Sequence, residues 1–94
     1  MTKLQLISLK LEVATQVKTW VTFMEQNDMR SLALRYAVPL DDHGGIYMGY
    51  LDTELLASGY TLVPFGVLPH ASGEQAIYLF LARKNNEGKR VVLS

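Results

Sequence analysis

The chain contains no cysteine. Disulfide staples, thiolate zinc sites and thiol nucleophiles are thereby excluded, and the fold must be held by ordinary packing. Its 94 residues are 49% hydrophobic and 19% charged, which is enough apolar material for one core in a chain too short for two. The sequence predicts a single globular domain over 1–94. It also lacks any uninterrupted apolar run of about 20 residues, the length needed to span a bilayer. Near the N-terminus Lys10 and Glu12 break the apolar stretch, and no small-residue cleavage pattern follows. A cytoplasmic protein without a membrane partner is expected.

Lys and Arg are absent from residues 36–82, which carry Asp41, Asp42, Asp52, Glu54 and Glu74 for a charge of −5. The preceding segment sets five cations against three carboxylates, +2, and 83–94 sets Arg83, Lys84, Lys89 and Arg90 against Glu87, +3, so the whole chain is neutral. An acidic middle between basic ends can steer a charged partner or align copies head to tail. The plainer alternative is that folding brings the ends beside the middle and evens the surface.

Residues 1–26 hold no Gly, Pro, Asn or Asp, while Leu6, Leu9, Val13, Val17, Trp20, Val21 and Met24 recur at three- and four-residue steps. That spacing predicts a long helix. Val13, Thr15, Val17, Thr19, Val21 and Phe23 also alternate, but a strand of that length is far outside the usual range. A short strand over 3–9 followed by a helix from about 10 remains compatible. Asn27 suits the stop.

Residues 29–40 fit both a strand and a helix. The strand is favoured because Asp41-Asp42-His43-Gly44-Gly45 reads as a turn and the aromatic-rich run 46–51 as its hairpin partner. Asp52 then caps a short helix at about 52–58 that stops at Gly59. Tyr60 to Leu68 reads as a strand with Pro64 at an edge or a bulge. The nearly continuous apolar run 76–81 suits a central strand covered on both faces. Asn85-Asn86-Glu87-Gly88 would turn the chain into a last strand, 90–93. The fold class is therefore α+β: one long N-terminal helix on an antiparallel sheet of four to five strands, with a short helix inserted. A winged-helix arrangement competes, with helices near 6–26, 29–38 and 46–58 and a β wing over 60–83. Its third helix would carry Asp52 and Glu54 and no cation, the wrong sign for a DNA groove.

Chemical motifs are sparse. Asp41-Asp42-His43-Gly44-Gly45 has two carboxylates and an imidazole, yet only His70 offers a second imidazole, and turns demand Asp and Gly for conformational reasons. His70-Ala71-Ser72-Gly73-Glu74 holds the residue types of a hydrolytic triad, but adjacency in sequence is no evidence of the required geometry. Phosphate-loop, dinucleotide, zinc-helix and nucleophile-elbow patterns are all missing. No catalytic residue, cofactor or metal is expected.

What the chain has in quantity is apolar surface. Self-association or binding to another protein is the expected function, as a non-enzymatic regulatory or accessory module. The candidate interaction residues are Arg83, Lys84, Lys89 and Arg90, gathered by a hairpin, with Asp41, Asp42 and Tyr47 from the acidic, aromatic middle. The alternative is nucleic-acid or small-ligand binding through the basic hairpin or a tyrosine-rich sheet face.

Overall fold

The computed structural model describes residues 2–39 and 42–85. Helix α1 spans Lys3–Gln26, strand β1 Ser31–Pro39, helix α2 Asp42–Ala57, strand β2 Tyr60–Pro69 and strand β3 Gln75–Lys84.

Helix α1 starts at a capping box. The Gln5 N–H donates to the Thr2 hydroxyl at 3.1 Å, and the Thr2 N–H donates to Gln5 Oε1 at 2.7 Å. Two of the orphan donors at the helix start are thus satisfied, which extends the helix over 3–9 and rules out a strand there. Its end is a Schellman turn: Asp28 adopts φ 53, the Met29 N–H donates to the Met24 carbonyl at 2.8 Å and the Asp28 N–H to the Glu25 carbonyl at 3.3 Å. Val13, Val17 and Met24 form the buried stripe of α1, and Trp20 stands edge-on to Tyr36 and Phe80 at 5.6 and 5.9 Å.

The sheet has the order β1-β3-β2, antiparallel throughout. β3 is the central strand, as its apolar run predicts, with Leu34 opposite Phe80 on one side and Leu62 opposite Ala82 on the other. β2 is an edge strand, and its register slips between Pro64 and Gly66. That bulge accommodates the missing Pro64 donor.

Three strands, not four to five, make up the sheet among the described residues. The expected hairpin between 29–40 and 46–51 does not form, because 46–51 is the middle of α2. Tyr47, Leu51 and Leu55 recur at helical steps and are buried together against Val38, Tyr60 and Phe80, an arrangement a strand's period of two cannot give. The short helix expected at 52–58 is the second half of this 16-residue helix, which stops at Gly59 with φ 89 as anticipated. A hairpin partner for β3 over 90–93 lies outside the described residues, but β1 and β2 already occupy both edges of β3 from 75 to 84. The winged-helix alternative fails at 29–38, which is β1, although its third helix and its 60–83 hairpin are present.

Candidate functional site

Both helices lie on one side of the sheet. Alternation along the strands sends Leu32, Leu34, Tyr36 and Val38 of β1, and Ala76, Tyr78, Phe80 and Ala82 of β3, into the helix-covered core. The residues between them face the other way. Register aligns Ala37, Ile77 and Leu68 in one row, Arg35, Leu79 and Gly66 in the next, and Ala33, Leu81 and Val63 in a third. None of the nine belongs to the core cluster. The result is an apolar sheet face with no layer over it among the described residues.

The bulge adds to this face. Phe65, 66% exposed, helps to line a shallow pocket of about 250 Å³ whose other walls include Ala33, Arg35 and Leu79. Leu68 is 49% exposed. Charge on the face is of one sign: Arg35 sits in the middle row of β1, Arg83 follows at the end of β3 opposite Ser31 and Thr61, and no Asp or Glu occupies any of these positions. Arg35 makes no ion pair among the described residues.

On the covered side, one polar chain ties three elements together. The Tyr47 hydroxyl of α2 donates to Glu12 Oε1 of α1 at 3.0 Å and hydrogen-bonds the Tyr36 hydroxyl of β1. Burial, followed by these two hydrogen bonds, pushes the Tyr47 hydroxyl far above the ordinary tyrosine range, so it stays protonated. Tyr60 is also pushed up, by burial and by the charge of Glu25, with Arg30 opposing. Its hydroxyl is buried without a hydrogen bond among the described residues.

The expected interaction residues are scattered by the fold. Tyr47 is 7% exposed and belongs to the core. Arg83 and Lys84 are exposed at the end of β3, where the Lys84 N–H donates to the Arg30 carbonyl at 2.7 Å. Asp41, Lys89 and Arg90 lie outside the described residues, and Asp42 opens α2. The open face itself was announced only by the apolar alternation Ile77, Leu79, Leu81 on a strand read as covered on both sides.

The stretch 70–74 holds a turn. The Nδ1 of His70 accepts from the Ser72 N–H at 3.0 Å, and the Ser72 hydroxyl accepts from the Glu74 N–H at 3.2 Å, while the Gly73 N–H closes the turn on the His70 carbonyl at 3.1 Å. These bonds shape the β2–β3 turn, with Gly73 at φ 76. Among the described residues no three His, Asp or Glu side chains gather as metal ligands would, and no helix is long and apolar enough to cross a membrane. No protein-family model, curated protein or solved structure matches the chain.

Proposed function

We propose that this protein is a non-enzymatic interaction module that works by covering the open face of its sheet with another protein surface, a second copy included. The carrying observation is the uncovered apolar face built by Val63, Leu68, Ile77, Leu79 and Leu81. A helix or sheet normally buries its apolar side against a second layer, and a sheet with apolar residues on both faces normally has layers on both. Among the described residues one layer is missing here, and a large exposed apolar patch marks an interaction site.

The test is molar mass by light scattering from micromolar to millimolar protein, at low and high salt, for the wild type and for Leu79→Asp. The wild type is expected to exceed the protomer mass of 10.5 kDa, to keep doing so in high salt because the contact is mainly apolar, and to lose the excess in Leu79→Asp. A protomer mass throughout, with the variant indistinguishable, would remove the reading.

A second reading rests on Arg83 and Lys84, exposed at one end of the sheet. They suit a phosphate-bearing partner, and binding to a nucleic acid would weaken steeply as salt rises. A salt-insensitive or absent affinity for a mixed-sequence oligonucleotide would dismiss it.

A further inference from the structure

Among the described residues the open face carries apolar rows, Arg35 and Arg83 but no carboxylate, which restricts what can cover it. Stacking two copies face to face would bring their arginines into one apolar contact with nothing to neutralise them, and unpaired charge is costly to bury. The occupant must supply both apolar contact and negative charge.

Two exposed helical stripes of this chain offer apolar surface. On α1, Leu4, Ile7 and Leu11 align, 75%, 48% and 65% exposed. That stripe runs into Lys18 next to its apolar residues, and its first carboxylate, Glu25, lies about four turns beyond Leu11, too far to meet Arg35 in the same contact. On α2, Gly45, Gly49, Asp52 and Leu56 recur at steps of four, three and four and are all exposed, on the side away from Tyr47, Leu51 and Leu55. The stripe joins an apolar side chain to a carboxylate. Its two glycines leave the helix backbone bare, with no other atom within 4 Å of where a Cβ would stand, so another surface can approach closely.

We infer that the outer stripe of α2 from one copy, Gly45, Gly49, Asp52 and Leu56, packs on the open sheet face of a second copy, with Asp52 directed to Arg35 and Leu56 to Leu79 and Phe65. The contact gives the sheet the second helical layer it lacks. It joins different surfaces of the two copies, so a pair leaves one sheet face and one α2 stripe free, and assembly continues past the dimer into a ring or a filament. Mass therefore grows with concentration without a plateau at the dimer. The inference rests on the proposed role of the open face and adds the identity of what covers it.

A mixing experiment tests it. Leu79→Asp blocks the sheet face and Leu56→Asp blocks the α2 stripe; both positions are at the surface or open to it, and circular dichroism checks that each variant is folded. Each variant alone is expected to stay at the protomer mass, while an equimolar mixture should form a species of twice 10.5 kDa and no larger, because only one productive contact remains. Reversal of the charge pair is the second arm: Arg35→Glu and Asp52→Arg singly weaken association, and the double variant regains it. If Leu56→Asp associates like the wild type while Leu79→Asp does not, the sheet face keeps its role and α2 is excluded as its occupant. If neither variant changes the mass of the wild type, both readings fall.

Discussion

Two tyrosine hydroxyls in the core are held differently, and the difference is measurable. Tyr47 joins Glu12 and Tyr36, so Tyr47→Phe should lower stability by about 1 kcal/mol, the net worth of an ordinary hydrogen bond. The Tyr60 hydroxyl has no such bond among the described residues. Tyr60→Phe should be neutral or stabilising by up to about 1 kcal/mol, since it removes a buried polar atom. Urea denaturation of the two variants separates these outcomes, and equal losses would contradict the assignment. Both hydroxyls are pushed up, so the folded state holds protons that the unfolded state releases near pH 10. The stability they contribute is fully present below that pH and falls as pH rises above it, by about 1.4 kcal/mol per pH unit for Tyr47, with Tyr60 acting in the same direction. An alkaline unfolding series should show this loss, together with one tyrosine, Tyr47, that ionises only as the chain unfolds.

At the level of elements, α2 is the one that sequence patterning hides. Its opening Asp42-His43-Gly44-Gly45 has the composition of a turn, and Gly49 interrupts the aromatic run. Glycine costs a helix roughly 0.5–1 kcal/mol relative to Ala, so local preference opposes what the core demands from Tyr47, Leu51 and Leu55. Gly45→Ala and Gly49→Ala, each entering open space, should therefore raise stability by about 0.5–1 kcal/mol. If the α2 stripe packs on a second copy, the same changes should weaken self-association, which separates the two roles in one pair of variants. Gly59→Ala should instead destabilise by about 1 kcal/mol, because its φ of 89 favours a residue without Cβ. The other elements were legible because pattern and punctuation agree: the stripe from Leu9 to Met24, Pro64 at an edge, and the run Ala76 to Leu81 at the centre. The candidate site was less so. Alternation shows that Ile77, Leu79 and Leu81 share a side, but only the placement of both helices shows that neither of them covers it. Tyr47 illustrates the converse, since an aromatic ring with a polar tip suits an interface and a core equally.

For the whole molecule, the number of layers matters more than the number of strands. Among the described residues, two helices and three strands leave one sheet side with nothing over it, and this single feature motivates both the proposed function and the proposed occupant. Leu79→Asp should accordingly raise the concentration at which the protein stays clear in solution while leaving the thermal midpoint within a few degrees, because the side chain is outside the core cluster.

The central position of β3 also has a consequence for how the molecule comes into being. β1 and β2 never touch as partners; each pairs only with β3, which follows both in the chain. During synthesis the first 70 or so residues therefore emerge with two strands that have no ladder to join, and the sheet is completed in one late step. Non-local closure of this kind slows folding and leaves strand edges exposed meanwhile. A chain ending at Gly73 should lack cooperative unfolding by circular dichroism, and the nascent protein should depend on protection until β3 has cleared the ribosome.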